Sequence, residues 1–175
     1  MAILPIIEAP DARLKVVSTP VDVVDDALRA VIDDMFETMY EAPGFGLAAI
    51  QIGLAKRLLV IDLQEKNEET GAVTREPRVF INPEILEESE ELAIYNEGCL
   101  SVPEQYADVE RPAVIKAKWL DGEGKQHVKV LDGMLATCLQ HEMDHLDGIL
   151  FIDHLSRLKR EMVLKKLQKM RRLAA

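Results

Sequence analysis

Leu28, Val31, Ile32, Met35, Phe36, Met39 and Tyr40 recur at the i, i+3, i+4, i+7 spacing of one helix face. The pattern predicts an amphipathic helix that opens near Asp25 or Asp26 and stops before Pro43. Beyond it the period changes. A glycine-bearing loop, PGFGLAAIQIG, leads into short β-type runs over Arg57–Leu63, Arg78–Asn82, Glu91–Asn96, Ala113–Leu120 and Gln126–Leu131. The last two flank Asp121-Gly-Glu-Gly124, which reads as a hairpin turn. Residues 64–76 are polar and read as an exposed loop. Helical periodicity returns from about Gly133 to about His145. It returns again from Ser156 to about Arg172, with Leu158, Met162, Val163, Leu167 and Met170 as the inner face. Strands in the middle with helices set apart from them predict an α+β fold rather than alternating α/β.

The 175 residues suffice for one domain, 1–175, with a real core. No apolar run is as long as a membrane span. The opening MAILPIIEAPDARL lacks the basic region of a secretory signal, so the expected location is cytoplasmic. There a disulfide between Cys99 and Cys138 is not expected. Charge is uneven. Residues 156–175 carry eight bases against one acid, leaving +7 there and −17 on the rest of a chain whose net charge is −10. A basic C-terminal helix on an acidic body suggests a localised interaction surface, and a solvated helix face accounts for the same pattern equally well.

The sharpest chemistry lies in His141-Glu142-Met143-Asp144-His145. At about 100° per residue, two histidines four apart sit one turn apart on the same helix face and can reach one metal ion. Glu142, on the flank of that face, can accept a proton from an activated water without ligating the metal. The bland alternative is an ordinary helix with two surface histidines.

Two imidazoles need a third protein ligand. In the extended H-E-x-x-H-x-x-G-x-x-H pattern Gly148 fits, but Phe151 holds the last position and His154 comes three residues too late. Glu161 lies in a basic segment and reads as an ion-pair partner. Cys138 shares the helix, yet ligands at i, i+3 and i+7 spread over about 10 Å of axis. Cys99, in the turn-like Glu97-Gly-Cys-Leu-Ser101, can approach from another direction, leaving Cys138 and Met134 to line a pocket beside the metal.

Gly44-Phe-Gly-Leu-Ala-Ala49 fits the dinucleotide fingerprint in letters but not in context, because a helix precedes it and a strand follows. Gly44 and Gly46 suit close approach of backbone to a ligand, and Gln51 offers an amide to a developing oxyanion.

Taken together, Gly44-Phe-Gly-Leu-Ala-Ala-Ile-Gln51, Glu97-Gly-Cys-Leu-Ser101 and Gln140-His-Glu-Met-Asp-His145 resemble, in order, the three signature motifs of the peptide deformylases. The resemblance spans nearly the whole chain. It implies antiparallel β-sheets around a central H-E-x-x-H helix, with an N-terminal helix and a C-terminal one. It implies that Cys99, His141 and His145 hold the metal, that Glu142 is general base and then acid, and that the Gln51 side chain and the Leu100 N–H stabilise the oxyanion. The implied substrate cleft takes in Gly44, Phe45, Gly46, Tyr95 and Glu97, with Met134 and Cys138. The implied reaction removes the formyl group from formyl-methionyl nascent polypeptides, releasing formate. The implied metal is Fe2+, replaceable by Ni2+, Co2+ or Zn2+. Docking of the basic C-terminal helix on the ribosome near the exit tunnel is also implied; DNA and membrane partners are not. Two positions depart from the family pattern: Phe45, where Ile or Val is common, and Tyr106, where some members carry Arg.

Two other readings share these residues. One is an H-E-x-x-H metallopeptidase, against which Cys99 speaks in place of a downstream His or Glu. The other is a non-catalytic ribosome-binding module with a structural metal, in which the spare acid Glu142 has no purpose.

Overall fold

The structure, a computed structural model, describes residues 2–174. Helix α1 runs over Asp26–Glu41, and the Asp25 carboxylate accepts the Leu28 N–H at 2.9 Å, the N-cap expected from the sequence. The glycine loop contributes a strand, β1 (Gly46–Ala48), and then a 3-10 turn, Ala49–Ile52. Strand β2 (Leu58–Ile61) follows. The polar stretch expected to be a loop carries a small exposed hairpin, β3 (Glu65–Lys66) and β4 (Val73–Thr74). Strand β5 (Arg78–Glu88) is longer than expected and bends where its register shifts around Asn82 and Pro83. Then come β6 (Leu92–Cys99), β7 (Val102–Pro112), β8 (Val114–Leu120) and β9 (Gln126–Asp132). Helix α2 covers Gly133–Leu146 and α3 covers Arg157–Ala174.

Strands β1, β2, β5, β8 and β9, in that order, form an antiparallel five-stranded sheet, and β6 with β7 forms a separate antiparallel pair. The alternation along β2 shows how the layers arise. All four of its residues are buried, but the strand period sends them to opposite faces. Leu58 and Val60 meet Ile32, Met35 and Met39 of α1, whereas Leu59 and Ile61 join Ala136, Leu139 and Leu146 of α2. The five-stranded sheet is therefore sandwiched between α1 and α2. Burying a side chain such as Leu59 contributes about 1.5–3 kcal/mol.

A third cluster joins the remaining parts. Val102 and Val109 of β7 pack with Ile7, Leu14, Phe151 and Leu167, and Cys99 lies against them. Leu167 anchors α3, flanked by partly buried Val163, Leu164 and Met170. The inner face of α3 thus differs from the expected one: Leu158 and Met162 are exposed, because they lie on the far side of the stripe centred on Leu167.

Candidate metal centre and active site

Helix α2 serves two surfaces. Ala136, Leu139 and Leu146 face the sheet, and His141, Glu142 and His145 turn toward the end of β6, where the strand stops at Cys99. One ligand atom each from Cys99, His141 and His145 lies within 4.8 Å of the others. His145 Nε2 is 3.3 Å from Cys99 Sγ. The two imidazoles are nearly edge to face, with centroids 5.2 Å apart. Both histidines are buried, and Cys99 is partly buried.

The donor set fits a transition-metal ion, and so does its support. Glu97 accepts a hydrogen bond from His141 Nδ1 at 2.8 Å, which leaves Nε2 free to face the cluster. Arg111 grips the same carboxylate with two N–H groups, at 2.7 and 2.9 Å. Burial opposes ionisation of Glu97, but the hydrogen bonds from His141 and Arg111 prevail and hold its pKa at about 2. The Cys99 sulfur accepts the Ser101 N–H at 3.4 Å and the Gln51 amide at 3.6 Å. Burial and the charge of Glu142 push the Cys138 thiol well up, the opposite of what a ligand needs. Burial pushes His145 down, toward the neutral imidazole that binds metals.

Glu142 is buried, and its Oε2 has no hydrogen-bond partner among the described residues. Its Oε1 lies 3.6 Å from His141 Nε2. Burial, reinforced by Glu97 and Asp144 against the pull of His141 and Arg111, lifts its pKa to about 7. Behind it stands Gly46, where a Cβ would come within 3.0 Å of Glu142 Cγ. Gln51 is buried; its Oε1 accepts the Ala48 N–H at 2.8 Å, and its Nε2 lies 3.0 Å from Ser101 Oγ.

A cleft of about 810 Å³ opens over this centre. Its lining includes Gly44, Phe45, Gly46, Tyr95 and Glu97, then Leu100, Met134 and Cys138, together with Cys99, His141 and Glu142. Gln51 and His145 lie deeper, outside the lining. At the mouth β7 bulges. Gly98 pairs with Tyr106 and Cys99 with Val102, so Pro103, Glu104 and Gln105 loop out and Glu104 takes a left-handed backbone, φ 60°. The Tyr106 ring lies on Gly98, where any Cβ would meet it at 2.5 Å.

Of the other residues weighed from the sequence, Glu161 pairs with Arg157 at 3.2 Å, and His154 contacts Asp144 at 2.8 Å, outside the ligand cluster. Sequence reasoning missed Arg111, Ser101 and the stretch Ile3, Leu4 and Ile6, which forms one wall of the cleft. Ser101 closes a motif that was recognised; Arg111 sits in a strand with no readable alternation and carried no signal.

The sequence that builds this site matches a family model described as polypeptide deformylase over residues 3–161. The chain belongs to the polypeptide deformylase family. The peptide deformylase of Rhizorhabdus wittichii is 71% identical over 172 residues, covering 98% of this chain and 97% of the relative. That of Zymomonas mobilis is 67% identical over 173 residues, covering 99% and 97%. Among solved structures, a peptide deformylase from Ehrlichia chaffeensis superposes with a TM-score of 0.93 at 40% identity, over 99% of both chains. A second structure of that protein, in complex with actinonin, has a TM-score of 0.89 at 41% identity, over 97% of this chain and 98% of the other. This deformylase is accordingly a metal-dependent hydrolase that removes the N-formyl group from nascent polypeptides. No helix among the described residues is long and apolar enough to cross a membrane.

Proposed function

We propose that Cys99, His141 and His145 hold the catalytic ion of this deformylase and that Glu142 moves the protons of formyl hydrolysis. The observation that carries the reading is the pairing of a three-ligand cluster with a buried, unpartnered carboxylate whose pKa is about 7. A divalent ion in that cluster would polarise a water and the formyl carbonyl. Glu142 then accepts the water proton as the oxygen attacks the formyl carbon, and delivers it to the departing amine. The Gln51 amide, fixed by Ala48, and the Leu100 N–H, at the cleft wall, are the donors for the developing oxyanion. The methionine side chain takes the apolar part of the cleft beside Phe45, Tyr95, Met134 and Cys138, and Gly44, Gly46 and Glu97 line the cleft with them.

The test is formate release from a formyl-Met peptide by protein purified without oxygen, with metal analysis on the same sample. Glu142→Gln should keep the metal and lose about a hundred- to ten-thousand-fold in turnover. Near-normal turnover would refute the assignment.

The ion is read as ferrous iron, since a thiolate–imidazole set is compatible with it. Iron-loaded protein should lose activity in air faster than nickel-loaded protein; equal lifetimes would count against iron. We read residues 1–175 as one cytoplasmic domain and 156–175 as its basic C-terminal helix, which docks near the ribosomal exit tunnel. Lys165, Lys166, Lys169 and Arg172 are exposed, while Leu167 between them is buried. Reversing those four charges should abolish salt-sensitive co-sedimentation with ribosomes and leave peptide turnover intact. Unchanged co-sedimentation would remove the docking role.

A further inference from the structure

Asp144 lies in the last turn of α2, where the helix dipole disfavours a carboxylate. It is held there by two donors on one oxygen: Arg111 Nη1 and His154 Nε2, each at 2.8 Å from Oδ2. Arg111 is 4% exposed, so its guanidinium is a buried cation forked between two carboxylates, Asp144 and Glu97. Glu97 in turn holds His141 by Nδ1. The contacts form an unbroken chain, His154–Asp144–Arg111–Glu97–His141, whose links all measure 2.7–2.9 Å.

The chain is stiff for a chemical reason. A guanidinium is planar, so the N–H groups that grip Glu97 and the one that reaches Asp144 cannot turn independently. If Asp144 swings away, Arg111 loses one of its two anchors and Glu97 follows it, and the His141 ring takes its orientation from Glu97. His154 is the outermost member. It ends the turn Phe151–His154 that leads into α3, and it is the donor opposite Arg111 on the Asp144 carboxylate.

We propose that His154, acting through Asp144, Arg111 and Glu97, is a positioning residue for His141. The proposal rests on the reading of His141 as a ligand. It assigns His154 a role toward the metal centre although it lies outside the ligand cluster. A second path exists from the same turn, since Phe151 stacks on the His141 ring with centroids 6.1 Å apart, so the test has to separate a lost hydrogen bond from a loosened turn.

Cobalt-loaded protein would be compared as parent, His154→Leu, His154→Gln and His141→Ala. Three quantities would be read: the rate of cobalt transfer to a chelator, the visible absorption bands of bound cobalt, and the urea midpoint. Glutamine can still donate to Asp144, and leucine cannot. Removing a partner that touches a ligand directly costs about ten- to a hundredfold in metal affinity. For a residue further out the expected effect is smaller, about three- to tenfold faster cobalt loss in His154→Leu, with shifted bands. His154→Gln should stay within about twofold of the parent with parent-like bands, whatever its urea midpoint. Equal behaviour of the leucine and glutamine variants, or a parent-like leucine variant, would overturn the proposal. If His154→Leu does not fold, His154→Asn, whose amide is too short to reach Asp144, takes its place under the same criteria. His141→Ala keeps the two readings apart. If it loses cobalt while His154→Leu does not, the positioning role fails and the ligand assignment stands. If it retains cobalt with parent-like bands, both fall.

Discussion

Replacing Gly46 with alanine is a fine probe of the base, because a single methyl group would press on Glu142 and on little else. An added Cβ would lie 3.0 Å from Glu142 Cγ and 3.1 Å from its Cδ and Oε1, so the carboxylate must give by a few tenths of an ångström. Gly46 has no left-handed backbone, and alanine fits its strand without strain. The entropic gain of a glycine-to-alanine change, about 0.4–1 kcal/mol, opposes the crowding of Glu142, so the urea midpoint reports how far the carboxylate gives. Misplacing a catalytic group by about 1 Å can cost about a hundredfold in rate. About a third of that displacement should cost about fivefold, close to 1 kcal/mol of barrier. The assay is formate release under first-order conditions, run for Gly46→Ala, Glu142→Gln and the double variant, with urea midpoints alongside. Because the methyl acts through the base, its cost should vanish, to within about twofold, once Glu142 is glutamine. A fivefold cost that persists in the Glu142→Gln background would refute the reasoning. It would mean that the methyl obstructs the peptide, as would a rise in KM with kcat unchanged.

Cys99→Ala should lose bound metal and activity while Cys138→Ala keeps its metal; elemental analysis of the two variants decides, and the reverse pattern would exchange their roles. Asp153 accepts from the Leu150 N–H and from Lys15 and has the Arg160 cation 2.9 Å away, and although burial opposes it, these partners hold its pKa below the usual carboxylate value. Its stabilisation is therefore present above the unfolded pKa of about 4 and is lost as pH falls through the lower folded value. Asp153→Asn should cost about 1–2 kcal/mol at pH 7, given that Lys15 and Arg160 are partly exposed, and the gap to the parent in urea melts should narrow as pH falls below about 4. A gap independent of pH would show that the charge is idle. Glu8, Glu41 and Glu104 line the cleft and, among the described residues, no Lys or Arg does, so formyl-Met peptides with Lys in the next positions should turn over several-fold faster than those with Glu. That ratio should shrink with added salt; a salt-independent ratio would point to shape instead.

The proposed ligands were legible in the sequence because their spacing is local: His141 and His145 share a helix face, and Cys99 lies in a short turn after a strand. Helix α1 was legible for the same reason, its start placed near Asp25 or Asp26, of which Asp25 is the cap. What escaped notice depends on contacts between distant segments. Strand β7 reads PEQYADVERP after its first valine, a polar run with proline at both ends, and it is a strand because β6 lies beside it. Arg111 is buried because Glu97 and Asp144, 14 and 33 residues away, meet around it. The true inner face of α3 was misjudged because the sequence shows an apolar stripe but not where the rest of the fold begins to cover it. Leu167 is covered, and Leu158, about half a turn round the helix from it, is not.

The proposed ligands also belong to different parts of the hydrophobic interior. The histidines ride on a helix that packs with the five-stranded sheet, and Cys99 packs with the cluster that gathers β7, the N-terminal stretch and α3. An ion shared by them acts as a removable rivet between two blocks, spanning the 46 residues from Cys99 to His145. Held at about a thousand times its dissociation constant, a ligand of the native state alone adds about 4 kcal/mol to stability. Here that increment would fall on the seam between the blocks. Metal loading would thus decide whether the two blocks come apart together or in turn, making the catalytic ion a governor of unfolding as well as of hydrolysis.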